Sequence, residues 1–133
     1  MTAVFDTNVY VAALVTEGLC FRLLHRARAQ EFTLVACPFI INELRRILSK
    51  KFRLSSADSA EAMVPVTEAI GRMIEHDMNV TGVCRDADDD NVLACALAAK
   101  AGYLVTGDAD LLVIGTYKGI KIVTPRDFEL LFA

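Results

Sequence analysis

The segment DADDDNVLACALAAKAGYLVTGDADLL, residues 86–112, carries the clearest indication of the fold. After its acidic run, residues 91–101 have the pattern of a helix, which Gly102 is predicted to end as the C-cap. The apolar run 103–106 predicts a strand that follows at once, and residues 110–114 predict a short helix. Alternation of helices with short strands is typical of an α/β domain with a parallel sheet.

The rest of the chain shows the same alternation. Short apolar runs predict strands, apolar residues spaced three and four apart predict helices, and Thr124-Pro125 has the N-cap and first-turn proline of a helix start. The further predicted strands are 3–5, 32–36 and 121–123, and the further helices are a short one through Val15 capped by Thr7 or Asn8, 18–30, one from Pro38 that carries Ile40 to Leu48, 55–76 with a kink or break at Pro65, and one from Pro125. At 133 residues the chain is predicted to be a single domain, 1–133.

The composition restricts the class of protein. A hydrophobic content of 54% is high for a water-exposed fold and predicts a full core together with an apolar subunit interface. We therefore expect a homodimer that uses apolar positions of the second and third helices. No apolar run approaches the ~20 residues of a membrane span. The N-terminal residues lack the basic region of a signal peptide.

Cysteine usage and charge narrow the possibilities further. The four cysteines form no CxxC pair, and Cys20, Cys37 and Cys95 lie among apolar neighbours. This pattern predicts reduced core thiols in a cytoplasmic protein rather than a zinc site or a disulfide framework. The net charge of −3 argues against a protein that coats nucleic acid non-specifically. It leaves a nuclease open, because such an enzyme needs only a local basic track.

Four carboxylates that are far apart in the sequence are predicted to meet at one edge of the sheet. Asp6 follows the first strand and Asp108 follows strand 103–106. Both are thus at the carboxyl edge, where open α/β sheets bind ligands. A helix that follows a strand begins at the same edge, which places Glu43 in the second turn of one helix and Asp90 in the first turn of another.

Carboxylates this close predict a metal site. Like charges raise one another's pKa, and a hard divalent cation such as Mg²⁺ or Mn²⁺ relieves their repulsion. We predict Asp6, Asp90 and Asp108 as metal ligands, and Glu43 as the acid that completes the site directly or through water. Such an ion activates water and neutralises charge on a phosphodiester. Neutralising Asp90 is then expected to raise the melting temperature of the metal-free protein.

Each acid also has a purely structural interpretation. Asp6 could simply end a strand, and Glu43 alone would be a solvated helix residue. The acidic run 86–90 could serve as N-cap and as favourable charge at a helix N-terminus, a role that we expect for Asp88 or Asp89. Turn chemistry could explain Asp108, as it does Asp110, which we expect to cap the next short helix. Only the joint placement favours a site.

Four segments carry a family resemblance over nearly the whole length: VFDTNVYVAAL (4–14), PFIINELRRIL (38–48), the segment 86–112 and GIKIVTPRDFELL (119–131). Together they resemble the PIN-domain family, named for the PilT N-terminus, and especially its small toxin-like members from bacteria and archaea. The resemblance implies a three-layer α/β/α sandwich with a central parallel sheet. It also implies a Mg²⁺- or Mn²⁺-dependent endoribonuclease, the toxin of a toxin–antitoxin pair, with an RNA substrate, a cognate antitoxin and a homodimeric state.

By the same resemblance, the catalytic acids of the family correspond to Asp6, Glu43, Asp90 and Asp108. Asn8 and Thr106 match its polar supporting positions, which we assign to substrate binding. Asp89 stands beside Asp90, so the third acid is open by one residue.

Two groups of basic residues are candidates for binding phosphates. One lies around Arg45 and Arg46, which we assign to substrate binding, and the other around Arg26. A solvated helix face, or a surface for an acidic antitoxin, would explain them equally well. The first group also contains Lys50, Lys51 and Arg53, and the second Arg22, His25 and Arg28.

Two other functions compete with a nuclease. A phosphotransferase of the haloacid dehalogenase type also places an aspartate after the first strand, but it needs an acid two residues later, where Asn8 stands here. A non-catalytic interaction module would use the acids only to hold a structural ion or to cap helices.

Overall fold

A single sheet forms the centre of the protein. The structure, a computed structural model, describes residues 1–75 and 80–132. Within these ranges the strands are β1 (Thr2–Phe5), β2 (Thr33–Ala36), β3 (Ile70–Met73), β4 (Tyr103–Val105), β5 (Thr116–Tyr117) and β6 (Ile120–Val123). Their order across the sheet is β3-β2-β1-β4-β6-β5. All pairings are parallel except β5 with β6, which is antiparallel.

Helices flank the sheet, which confirms the predicted α/β/α sandwich. In the described ranges they are α1 (Thr7–Val15), α2 (Leu19–Arg28), α3 (Pro38–Lys50), α4 (Ser56–Ala69), α5 (Ala87–Ala98), α6 (Ala109–Leu112) and α7 (Pro125–Glu129), followed by a 3₁₀ turn, Leu130–Phe132. Helix α5 packs on β1 and β4, whereas α2 contacts α1, α4 and α7. The central strands are buried on both faces, as in parallel sheets covered by helices: Val4, Leu34 and Leu104 are completely inaccessible to solvent.

The carboxyl edge of the sheet contains a topological switch point at β1. Strand β1 pairs with β2 on one side and with β4 on the other. The backbone N–H of Asp6 donates to the carbonyl of Val105 (2.9 Å), and that of Thr106 donates to the carbonyl of Val123 (3.0 Å). Asp6 and Thr106 therefore leave adjacent strands side by side, at the place where this class of fold binds ligands.

The predicted helix over 55–76 is too long. Helix α4 ends at Ala69, and Ile70 begins the edge strand β3, which pairs with β2. Three of the four residues of β3 are exposed, so the strand lacks the alternation of apolar and polar residues that would have identified it. Residues 76–79, which include the predicted helix end at His76, lie outside the described residues.

Four predicted helix boundaries or caps also differ. Helix α5 begins four residues earlier than expected, at Ala87, because the Asp86 carboxylate caps it by accepting from the backbone N–H of Asp88 (2.9 Å). It ends before Lys100, whose positive φ of 53° replaces the C-cap expected of Gly102. Asp6 caps α1 in place of Thr7 or Asn8, and Asp108 caps α6 in place of Asp110.

The C-terminal helix starts as predicted, since the side chain of Thr124 accepts from the backbone N–H of Asp127. Among the described residues no single helix is both long and apolar enough to cross a membrane. Only the bent pair α1 and α2 reaches that length and composition together.

Candidate active site

Asp6 is a buried carboxylate held in place by two hydrogen bonds. One oxygen, Oδ1, accepts from the backbone N–H of Thr7 (2.8 Å), and Oδ2 accepts from the hydroxyl of Thr106 (2.8 Å). The same hydroxyl oxygen accepts from the backbone N–H of Asp108 (3.0 Å). Asp6 is 5% exposed and Thr106 is fully buried. Thr106 therefore positions two acids and has no surface with which to contact a substrate, contrary to its assignment from the sequence.

Asp89, Asp108 and Asp110 bring carboxylate oxygens together. One oxygen from each lies within 4.8 Å of the others. Asp108 is fixed further by the backbone N–H of Asp110, which donates to its Oδ1 (2.9 Å). Sequence reasoning treated Asp110 only as a helix cap. The signal available was its spacing of two residues from Asp108, which places both acids on one tight turn.

The structure brings Asp89, rather than Asp90, to Asp6 and Asp108. The Asp90 carboxylate points to the loop before α5, where it accepts from the backbone N–H groups of Gly82 (3.1 Å) and Cys84 (2.8 Å). Successive residues of a helix are rotated by ~100°, so adjacent acids face different neighbours. Of the two residues that the sequence leaves open for the third acid, Asp89 is thus the one that lies with Asp6 and Asp108, and we take it forward as the candidate.

Glu43 approaches the site from α3. It lines a cavity of about 260 Å³ together with Asn42, Arg46 and Asp88, and its negative charge acts on Asp6. The guanidinium of Arg46 lies 3.8 Å from the Glu43 carboxylate. Glu43 thus lies at the wall of a cavity that Asp88 of α5 also lines, with a cation beside it.

The pKa values of these acids are shifted by burial and by the charges of their neighbours. Burial, and then the charges of Asp108 and Asp6, raise the pKa of Asp89 from 3.8 to about 7. Burial also raises the pKa of Asp6, although the hydrogen bonds from Thr106 and Thr7 oppose the shift. Burial, and then its hydrogen bond with Asp90, raises the pKa of the Cys84 thiol to about 12. The negative charges of Asp89 and Asp108 also contribute to this shift. The loop before α5 therefore lies near the acids.

Within the described residues, neither of the two remaining predicted residues lines the cavity beside Glu43. Asn8 is exposed on α1. Arg45 is exposed on α3 and lines cavities that neither Glu43 nor Arg46 lines. Of the predicted pair of arginines, only Arg46 is thus next to a predicted catalytic acid.

The acids fit a hard divalent cation. Ligand oxygens bound to Mg²⁺ at about 2.1 Å lie up to about 4 Å apart, so the observed separations need only a small adjustment. Carboxylate oxygen is also the donor that Mg²⁺ and Mn²⁺ prefer. Asp89, Asp108 and Asp110 could hold such an ion, with Asp6 and Glu43 beside them.

Thr106→Val tests the positioning role of the buried hydroxyl. The change leaves the Asp108 N–H without its acceptor and removes one donor from Asp6. We expect a loss of about 1–3 kcal/mol in the free energy of unfolding, measured by denaturant titration. The hydrogen bond from Thr106 lowers the pKa of Asp6, so its loss should raise that pKa. The acidic limb of any pH–activity profile should then move to higher pH.

The matched control is Thr7→Val. Thr7 is also buried, but its hydroxyl has no hydrogen-bond partner among the residues described. Its removal should leave both stability and the pH profile nearly unchanged. Equal losses in the two variants would contradict the role assigned to Thr106.

Comparisons with known proteins agree with this geometry. The family model described as PIN domain matches residues 2–110. One solved structure, that of VapBC2 from Rickettsia felis bound to a DNA fragment from their promoter, contains a chain with the same fold at a TM-score of 0.63. The alignment covers 93% of this chain and 98% of that one, at 13% sequence identity. No curated protein matches in sequence. Since the family model covers most of its length, the chain belongs to the PIN-domain family.

Proposed function

We propose that this protein is a metal-dependent endoribonuclease, the toxin of a toxin–antitoxin pair. The observation that supports the proposal most is the meeting of Asp6, Asp89 and Asp108. No ion pair joins any of them to a basic side chain in the described part of the chain. Carboxylates that raise one another's pKa without a protein cation are costly unless they serve a function. A divalent cation supplies the missing positive charge.

In this proposal Asp89, Asp108 and Asp110 hold Mg²⁺ or Mn²⁺, with Asp6 and Glu43 adjacent. Asp89 replaces the Asp90 of the sequence prediction. When bound, the ion activates water at neutral pH and offsets charge on the phosphodiester. Thr106 and the Thr7 amide keep Asp6 oriented while water adds across a P–O bond of the RNA.

Arg46 is the residue that we propose for contacting the scissile phosphate. It lines the cavity beside Glu43, and its guanidinium is long and exposed enough to leave that carboxylate for a phosphate. Arg45 and Asn8 would act farther along the substrate, because both are exposed but do not line this cavity.

The toxin assignment draws support from the fold shared with a chain of the VapBC2 structure, whose title describes a complex on its promoter DNA. We extend this to a cognate antitoxin that binds the present protein and to a cytoplasmic location, where RNA is accessible. A short reading frame overlapping the start of the gene, whose product co-purifies with this chain, would support the pairing.

Purified protein is expected to cleave RNA in the presence of Mg²⁺ or Mn²⁺ and to stop when EDTA removes the ion. Gel analysis of labelled single-stranded and structured RNAs measures the effect, with DNA of the same sequence alongside. Full cleavage in EDTA would eliminate the metal mechanism. No cleavage of either nucleic acid would favour the interaction module.

We also propose a homodimer, but through a different surface from the one predicted. The apolar residues of α2 and α3, such as Leu23 and Leu44, are packed in the protein's own core. Exposed apolar side chains elsewhere, such as Val15 and Leu130, remain available. Light scattering should give twice the chain mass at micromolar concentration, and a monomer mass throughout would refute the dimer.

A further inference from the structure

A groove lies between α3 and α4 and continues to the edge strand β3. It consists of two adjoining cavities, of about 460 Å³ and about 320 Å³, which share Arg45, Met63 and Thr67 as lining residues. None of these three residues lines the cavity beside Glu43. The groove is therefore a surface distinct from the carboxylate site.

The groove offers hydrogen-bond donors without negative charge. Ser49, Ser56, Ser59 and Thr67 contribute hydroxyls, and Arg45 and Arg72 contribute guanidinium groups. Among the described residues no acidic side chain lines either cavity, although the chain contains 17 acidic and 14 basic residues. The Ser59 hydroxyl is buried and has no partner among the described residues. This lining matches an anionic ligand with several oxygen acceptors.

Arg45 is available to such a ligand. It is exposed, and no ion pair holds it within the described ranges. Arg26 and Arg46, by contrast, each lie beside a glutamate. A guanidinium without a carboxylate partner, next to several hydroxyls, is an arrangement that binds phosphate groups.

The groove and the Glu43 cavity are both lined by residues of α3. Arg45 and Arg46 are neighbours on that helix, and a rotation of ~100° between them directs one to the groove and the other to the Glu43 cavity. A helix is ~10 Å wide, a distance that about three nucleotides can bridge at the ~3.4 Å spacing of a stacked strand. One polyanion can therefore contact both arginines.

We propose that the α3–α4 groove binds the sugar–phosphate backbone of single-stranded RNA, next to the nucleotides held at the carboxylates. The proposal rests on the nuclease function proposed above and names a second part of its substrate site. The hydroxyls and Arg45 bind phosphates and ribose 2′-hydroxyls. In the part of the chain that the structure describes, no aromatic side chain lines the groove, so binding there depends on contacts to phosphate and ribose rather than on base stacking.

RNA binding to protein carrying Asp6→Asn, which should not cleave, tests the groove. Fluorescence anisotropy compares a dinucleotide, which is too short to reach across α3, with an oligonucleotide of about twelve nucleotides across a range of salt concentrations. Adding Arg45→Ala should weaken binding of the long RNA several-fold and reduce the slope of log K against log salt by about 0.7 for the lost phosphate contact. The short RNA should bind as before, because it fits at the carboxylates alone.

Two further variants make the result specific. Ser59→Ala removes a hydroxyl that has no partner in the described protein, so it should leave the melting temperature unchanged and still weaken binding of the long RNA. Lys121→Ala removes an exposed cation from β6, outside the groove, and should leave the affinity for both RNAs unchanged.

Several outcomes would overturn the proposal. Unchanged affinity and salt slope in Arg45→Ala and Ser59→Ala, in a protein whose wild type cleaves RNA, would remove the groove from the substrate site and leave the nuclease function intact. Loss of affinity for an acidic peptide without loss for RNA would assign the groove to a protein partner. Absence of both RNA binding and cleavage would overturn the nuclease function and the groove together.

Discussion

Replacing Asp89 with asparagine is expected to lower the rate of RNA cleavage by more than about a hundredfold, because changes even one shell beyond a metal ligand cost about 10–100-fold. Asp89 lies with Asp108 and Asp110 where oxygens can share one cation, and burial, followed by the charges of Asp108 and Asp6, raises its pKa to about 7. An amide neither carries that charge nor binds Mg²⁺ as strongly. Single-turnover cleavage at saturating metal measures the effect.

The adjacent residue supplies the control. Asp90 holds two backbone amides of the loop before α5, and Asp90→Asn should reduce cleavage by no more than about tenfold through a loosened loop. If Asp90→Asn abolished cleavage and Asp89→Asn retained it, the third acid would be Asp90 after all. Similar losses in both would mean that the loop, and not only the carboxylate, forms the active centre.

This difference between neighbours marks the limit of what the sequence could predict about the site. The switch-point argument places Asp6, Glu43, Asp108 and the start of α5 at one edge, because that placement depends only on strand and helix order. The choice between Asp89 and Asp90 depends instead on where the helix begins. The capping by Asp86 moves that start to Ala87, and the loop amides that capture Asp90 are a tertiary contact with no pattern in the sequence.

The fold was predictable where burial is complete and obscure where it is not. Apart from the threonine that begins β1 and β2, strands β1, β2 and β4 are apolar, and each has neighbours on both sides, so their apolar runs identify them. The edge strands β3 and β5 are exposed, and β5 is only two residues long. Their pairing with neighbours, rather than their own composition, makes them strands.

The placement of Thr106 and of the two neighbouring arginines could not be predicted from the sequence either. Thr106 stands two residues before Asp108, a position from which the sequence suggests contact with substrate. The structure buries it under Asp6, because the residue that leaves β4 faces the core. Arg45 and Arg46 are adjacent residues of the same type, so the sequence cannot tell their roles apart. In the structure the turn of α3 directs their side chains to different cavities.

The metal-free protein is expected to lose stability as the pH rises from about 4 to about 7. The folded state keeps the proton of Asp89 up to a pKa of about 7, whereas an unfolded aspartate loses it near 3.9. Between these values the folded state binds more protons, so a rising pH lowers the free energy of unfolding. The raised pKa of Asp6 acts in the same direction. Thermal unfolding in EDTA should therefore give a higher melting temperature at about pH 5 than at about pH 8.

Binding of the metal ion and the substitution Asp89→Asn should each remove this loss of stability at higher pH. At about pH 8, an ion at a hundred times its dissociation constant adds about 2.7 kcal/mol, or about 10 °C for a domain of this size. Asp89→Asn should raise the metal-free melting temperature at that pH, flatten its pH dependence to the part that Asp6 contributes, and lose most of the metal shift. The rise in melting temperature that the sequence predicted for neutralising Asp90 is thus expected for Asp89→Asn instead.

Asp90→Asn should act with the opposite sign. Its amide can accept from only one of the Gly82 and Cys84 N–H groups and presents a donor to the other, which costs about 1–3 kcal/mol at both pH values. The full metal shift should remain, since no ligand is lost. A melting temperature for Asp90→Asn that rises in EDTA and no longer responds to metal would reverse the two assignments. A pH-independent wild type would mean that the acids are too far apart to repel, and the metal site would then lack its physical basis.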